Sequence, residues 1–251
     1  MNRSLAQIRE DSRQALAGNY FLFFIVLFIA SALTMAADQL LSYFAPLSGR
    51  EGFVFLTVIN LILNFIVLIL AKLLQAGQCF LSLNIARYNR VSVSDLFLAF
   101  RYDTSKALVL SVILGLIETI CTAPLTISLS CVLYYGSIIP GTQASIATSI
   151  LTAVGGFLGM IFLEVLIAFP FSQSFFLYID HQEYSALECL SESRSLMRGK
   201  ILDFFLLHLS LAGYFALCVV SLGVGLIWVL PYLKVIRASY YMNLTGLYKP
   251  Y

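Results

Sequence analysis

Six ionisable side chains lie deep in apolar sequence: Lys72, Glu118, Glu164, His208, Lys234 and Arg237. A Lys, Arg or Asp at the centre of a membrane helix costs roughly 2.5–3.5 kcal/mol on insertion scales, so such residues mark a function or a partner. Opposite charges that meet between helices neutralise one another and hold a bundle together. Charges that line a water-filled cavity conduct protons, ions or a solute. Depth along a helix, at about 1.5 Å per residue, puts Glu118 ~18 Å from the inner end of its span and Lys234 ~12 Å from the outer end of its own. In a hydrocarbon core of ~30 Å those levels coincide. Lys72 and Glu164 both fall ~27 Å from the outer side. Matched depth therefore predicts that Glu118 contacts Lys234 or Arg237, and that Glu164 lies near Lys72. Structural glue is the first reading of these intramembrane pairs and an ion path the second.

Other chemistry is sparse. Asp180, His181 and Glu183 cluster at one membrane edge but lack the paired-histidine spacing of a zinc helix, so they read as a solvated acidic turn. His208 and Asp203 are five residues apart and do not share a helix face closely. Cys79, Cys121, Cys131, Cys189 and Cys218 form no CxxC pair, and they read as small buried hydrophobes. Pro124, Pro170 and Pro231 each interrupt an apolar stretch and free a backbone carbonyl, as the broken helices of transporters do. Gly155 and Gly159 form a GxxxG that predicts close helix packing. The chain carries no nucleophile elbow, metalloprotease, phosphate-loop or dinucleotide motif. The expectation is accordingly no enzymatic activity, no catalytic residue, no cofactor and no metal.

Membrane spans must position these charges. Of 251 residues, 60% are apolar and 11% charged, against roughly 45–50% and ~25% in soluble domains. Twenty Phe and 14 Tyr suit lipid-facing and interfacial positions. A membrane helix needs about 20 mostly apolar residues. The predicted fold is all-α, one integral-membrane domain over 1–251, a bundle of six spans at about 20–43, 54–85, 106–135, 146–179, 203–222 and 226–246. The last two are divided by the glycine-rich break Ser221-Leu-Gly-Val-Gly225. The polar leader through Asn19, with the long apolar run after it, predicts a first span rather than a cleaved signal.

Charge placement sets the orientation. Eleven cations fall in the leader (Arg3, Arg9, Arg13), the second connector (Arg87, Arg90, Arg101, Lys106), the fourth (Arg194, Arg198, Lys200) and the tail (Lys249). The opposite loops hold only Arg50. The positive-inside rule then puts both termini in the cytoplasm of a multi-pass protein. The net charge of +2 leaves no nucleic-acid footprint. The lipid bilayer is the implied partner, with a membrane or cytoplasmic protein as a further one.

The leader is echoed later in the chain. Asp11-Ser12-Arg13, Gly18 and Phe23-Phe24 align with Glu192-Ser193-Arg194, Gly199 and Phe204-Phe205 at a constant offset, and a fainter copy begins near Ser94. The unit would be a cytoplasmic amphipathic helix followed by two spans, used three times. Met1, Leu5, Ile8, Ala15 and Leu16 share one helical face, as do Leu187, Leu190 and Met197. Gly18 and Gly199 fall where each helix would stop. Such helices seat a bundle at the interface or, on a sharper reading, dock a cytoplasmic partner.

The run from Ser185 through Arg194, Leu196-Met197 and Gly199 to Phe204-Phe205 resembles part of a known family, as do Leu222-Gly-Val-Gly225, Trp228, Pro231-Tyr232 and Tyr240-Tyr241. That family comprises Gram-positive bacterial integral-membrane proteins catalogued as domain of unknown function nine-seven-five. The likeness extends back through Phe97-Leu-Ala-Phe100, and the sequence departs from the pattern around the third and fourth spans. It implies a bacterial plasma-membrane protein and no reaction. The functional expectation is a non-enzymatic membrane accessory or scaffold, for instance in an envelope, export or immunity system. The alternative is a small transporter or channel that uses the buried charges. A cavity reaching Glu118 favours transport; a dry, fully paired core favours the scaffold.

Overall fold

The computed structural model describes residues 4–44, 53–100, 103–138 and 143–247. Arg3, Arg50, Arg101, Lys249 and the loop at 139–142 lie outside the described residues. The described residues are helical, with no strand among them. In chain order the α-helices are α1 (Leu5–Leu16), α2 (Tyr20–Phe44), α3 (Phe53–Ala86), α4 (Thr104–Ile138), α5 (Gln143–Leu163), α6 (Ser174–Asp180), α7 (Ala186–Met197), α8 (Ile201–Leu209), α9 (Ala212–Val220) and α10 (Leu226–Thr245). A 3-10 segment, Val93–Phe100, links α3 to α4; a π turn, Glu164–Ala168, and a 3-10 turn, Phe169–Phe171, join α5 to α6.

Among the described residues four stretches are long and apolar enough to cross a membrane: Tyr20–Ala37, Ile62–Ala86, Thr104–Leu133 and Ile146–Asp180. Six were expected. The fifth, 203–222, is split near Ser210 into α8 and α9, nine residues each. The sixth is α10, whose 20 residues include Lys234, Arg237 and Asn243, which lower its apolar character. The break between them is where the glycines place it: Gly223 takes φ +89° and Leu222 φ +51°, so α9 and α10 are separate helices.

Packing is uneven along the bundle. Half of the most apolar part of the α3 span is buried, but only 6% of the most apolar part of Ile146–Asp180, whose buried side chains gather at Gln173–Tyr178. Helix α10 packs on α1, α2, α3 and α9, whereas α5 packs on α4 and the π turn. The largest fully buried side chains include Tyr241, Phe23, Phe176 and Phe204, and the Phe176 and Tyr241 rings stack with centroids 5.3 Å apart. Along the α4–α5 hairpin Leu133, Leu151 and Phe162 are exposed instead. Water would make that surface costly; lipid tails are as apolar as the side chains and do not.

Helices α1 and α7 start and stop alike. Each opens with a capping box, Ser4 with Gln7 and Ser185 with Glu188, in which two backbone N–H groups are satisfied reciprocally. Each is followed by a glycine at positive φ, Gly18 at +87° and Gly199 at +75°, a conformation that costs an L-residue about 1 kcal/mol or more. Ile8, Ser12, Ala15 and Leu16 are the buried face of α1. On α7 the buried set is Ala186, Cys189, Leu190, Ser193 and Met197. Leu187, expected on that face, is exposed, and the small Cys189 and Ser193 take the inner positions.

Candidate functional site

Helices α3 and α4 run antiparallel from a shared connector. Lys72 lies fourteen residues before the end of α3, and Glu118 fourteen residues after the start of α4. At 1.5 Å per residue both stand ~21 Å from that connector. The Lys72 ammonium donates to the Glu118 carboxylate and, at 3.0 Å, to Gln75 Oε1. Its side chain is 8% exposed and that of Glu118 49% exposed. The contact partner of Glu118 is thus Lys72 rather than Lys234 or Arg237, while Glu164 lies near Lys72 without touching it. Depth along overlong helices gives different levels when it is taken from opposite ends. Counting from the connector that α3 and α4 share gives the observed partners.

The other three charges remain close to this pair without pairing. Two cavities converge on it. The first, about 440 Å³, lies among α2, α3, α4 and α10, and Ser31, Thr34, Gln78 and Lys234 line it. The second, about 470 Å³, lies among α3, α4, the π turn, α8 and α10, and Lys72, Glu164, His208 and Arg237 line it. Gln75 and Glu118 line both, so they stand at the junction. Among the described residues Glu164, Lys234 and Arg237 make no hydrogen bond or ion pair, and the buried Arg237 Nε has no acceptor. All five charges singled out from the sequence line one or both of these cavities. Gln75 and Gln78 were not singled out. Their spacing from Lys72, three and six residues on, puts them on one helical face and was the available signal.

Local backbone explains how the second cavity is held open. The ladder of α5 stops at Glu164, where a π turn and then the Phe169–Phe171 turn around Pro170 interrupt it. Ser193 of α7 donates to the Pro170 carbonyl at 2.8 Å and accepts from Gln173 N at 3.2 Å, which satisfies two groups that the break would orphan. Cys121 Sγ donates to the Leu163 carbonyl at 3.5 Å. His208 Nδ1 sits 2.9 Å from the Phe204 carbonyl, and its ring packs edge-on to Phe204 at 4.4 Å. Pi turns of this kind recur at functional sites.

The expected GxxxG packing shifts by one residue. A Cβ on Gly155 would meet nothing within 4 Å. Gly156 and Gly159 make the contact instead: a Cβ on Gly156 would lie 1.9 Å from Ser128 Oγ, and one on Gly159 3.2 Å from Pro124 Cβ. Pro124 therefore sits against the glycine face of α5, where a bare backbone accepts its ring.

The connector end carries a second, solvated set of charges. Arg87 NH2 donates to Asp180 Oδ2 at 2.6 Å, which ties α3 to α6. Lys106 pairs with Asp103 at 2.9 Å and donates to the Gln182 carbonyl at 2.5 Å. His181 lies 3.1 Å from Glu183 and stacks on Tyr184. Asp180 is thus directed to Arg87 rather than toward His181 and Glu183. The Ser185 amide and hydroxyl hold the Glu188 carboxyl below its ordinary range. Burial pushes the Cys189 thiol up to about 11. Cys79, Cys121, Cys189 and Cys218 are buried free thiols and Cys131 is partly exposed.

A search of curated proteins and a search of solved structures find no match. A family of sequences does match, described as protein of unknown function (DUF975), over residues 1–248. The chain belongs to that family.

Proposed function

We propose that this member of the family is a non-enzymatic, multi-pass protein of the bacterial plasma membrane that binds a small polar solute inside its helix bundle and carries it across. The observation that supports this reading is the convergence of two cavities on the Lys72–Glu118 pair, with three further charges lining their walls. A carrier needs polar groups at mid-membrane reached through irregular backbone, and Glu164 at the start of the π turn fits that need. In this reading α8–α9 and α10 complete six spans, and both termini face the cytoplasm. The chain would repeat one helix-plus-two-spans unit. The paired capping boxes and paired positive-φ glycines support that repeat.

Cysteine accessibility tests the reading. In a background lacking native cysteines, Thr34→Cys and Ser172→Cys place one thiol in the first and the second cavity. In intact vesicles both react with a membrane-impermeant thiol reagent. Protection of both positions from water-soluble reagents of either sidedness would sink the carrier.

A scaffold role is the second reading, and one observation favours it. Ile150, Leu151 and Phe162 are exposed on α5, which packs mainly on α4 and the π turn, and Ile127 and Leu133 are exposed on α4 beside it. Such a face suits a partner span as well as lipid. Co-purification of a stoichiometric membrane partner, lost on Leu151→Lys, would support it.

A further inference from the structure

The charges that line the second cavity sum to zero, half of them paired and half not, with Lys234 of the first cavity as a further cation nearby. Lys72 and Glu118 cancel each other by contact. Arg237 on α10 and Glu164 on the π turn also sum to zero, yet neither has an ion-pair partner among the described residues. An unpaired charge in a low-dielectric interior is expensive, and the cost falls when a counter-group arrives. An anion alone would satisfy Arg237 and leave Glu164. A cation alone would do the reverse.

We propose that the second cavity binds a small zwitterion, a molecule with one anionic oxygen group and one ammonium on an apolar body, with Arg237 taking the anion and Glu164 the ammonium. The inference rests on the carrier reading above. Phe169, Phe171, Phe175, Phe204 and Phe205 line the same space. Their rings accept an apolar body, and ring faces attract an ammonium as well. A volume of about 470 Å³ falls within the range of small-molecule sites, roughly 300–1,000 Å³. An α-amino acid with an apolar side chain has this chemistry, and so does the headgroup of phosphatidylethanolamine.

The test is equilibrium binding to the purified full chain in detergent, with phenylalanine, phenethylamine and 3-phenylpropionate as separate ligands. A parallel arm uses native mass spectrometry of nanodiscs holding phosphatidylethanolamine and phosphatidylglycerol in equal parts. Phenylalanine should bind at least tenfold more tightly than either single-charge analogue. Arg237→Gln should abolish its advantage over phenethylamine, and Glu164→Gln its advantage over 3-phenylpropionate. That selective loss is not produced by mere destabilisation, and the wild-type panel decides the matter if a variant does not fold. Preferential retention of phosphatidylethanolamine without phenylalanine binding would keep the zwitterion site and assign its source to lipid. Binding of a single-charge analogue as tight as that of phenylalanine would overturn the zwitterion while leaving the carrier standing. No binding of any zwitterion overturns the proposal; the carrier falls with it only if the cavity thiols also resist water-soluble reagents.

Discussion

Removing either member of the Lys72–Glu118 pair should cost different amounts. The Lys72 side chain is 8% exposed, so Glu118→Gln leaves a buried ammonium with amide oxygens, Gln75 Oε1 among them, as acceptors but no counter-charge. Breaking a buried pair from one side costs about 3–5 kcal/mol, and the retained acceptor sets the expectation at the lower end, ~3 kcal/mol. The reverse change is milder. In the carrier reading the cavities that Glu118 lines hold water, so Lys72→Met leaves a solvated carboxylate, and the loss is ~1 kcal/mol or less. Lys72→Met with Glu118→Gln removes both charges and should be more stable than Glu118→Gln alone, a coupling of roughly 2 kcal/mol. Unfolding can be followed through Trp228, the single tryptophan. At roughly 2–4 °C per kcal/mol for a chain of this size, Glu118→Gln should lower Tm by about 6–12 °C and Lys72→Met by under about 4 °C. Equal shifts for the two single variants, or strictly additive losses in the double, would refute the burial argument.

Glycine substitutions should divide by space. Gly77→Ala puts a Cβ 1.8 Å from the Leu96 carbonyl oxygen, backbone that cannot yield, and should displace the Val93–Phe100 segment with a loss above about 3 kcal/mol in a melt. Gly155→Ala meets nothing and should be neutral or stabilising by up to ~1 kcal/mol. Ser193→Ala leaves the Pro170 carbonyl and Gln173 N–H without that partner and should cost about 1–3 kcal/mol, whereas Ser191→Ala on the exposed side of α7 should not shift Tm. Cys189 is 1% exposed, and burial pushes its thiol up to about 11, so thiolate is scarce at neutral pH. It should resist maleimide at pH 7.5 until the chain unfolds; quantitative labelling of the folded protein would contradict its burial.

The sequence made some of this legible and hid the rest for physical reasons. Apolar length located α2, α3, α4 and the α5–α6 stretch, because a 3.6-residue period and hydropathy are local properties. The break before α10 was legible for the same reason: Gly223 sits where only a positive φ turns the chain. The ends of α1 and α7 were signalled by Gly18 and Gly199. The five charges were singled out by the cost of burying them, and four of them line the second cavity while Lys234 lines the first. Their partners were not legible from depth alone. Lys72, Glu118 and Glu164 stand at similar levels, and which two touch depends on which helices are neighbours, a non-local fact. The connector between α3 and α4 supplies it, since a short link makes antiparallel neighbours. The π turn at Glu164 left no clear mark, because Glu-Val-Leu-Ile-Ala is as apolar and periodic as the helix around it; Pro170 alone signalled a break.

The uneven packing places the charge cluster in the fold. Tight burial gathers where α1, α7 and the C-terminal half of α10 meet the connector-side ends of α2, α3 and α6: Ile8, Leu83, Ile85, Leu177 and Tyr241 are each 1% exposed or less. That collar holds hydrogen bonds between distant segments, Ser12 to Ser239 at 2.9 Å and the Tyr232 hydroxyl to the Arg9 carbonyl at 3.2 Å. Beyond it burial thins, and α5 is held by α4, through a glycine–proline contact, and by the π turn. Lys72, Glu118 and Glu164 lie just past the collar, ~21–24 Å along their helices from the connector end. There the backbone is fixed on one side and loosely packed on the other. A dry, interdigitated core would have filled that level with apolar side chains, since a buried ion pair rarely stabilises more than hydrophobic residues of the same volume. Five charges and two cavities stand near that level instead, the feature on which the proposed solute site rests.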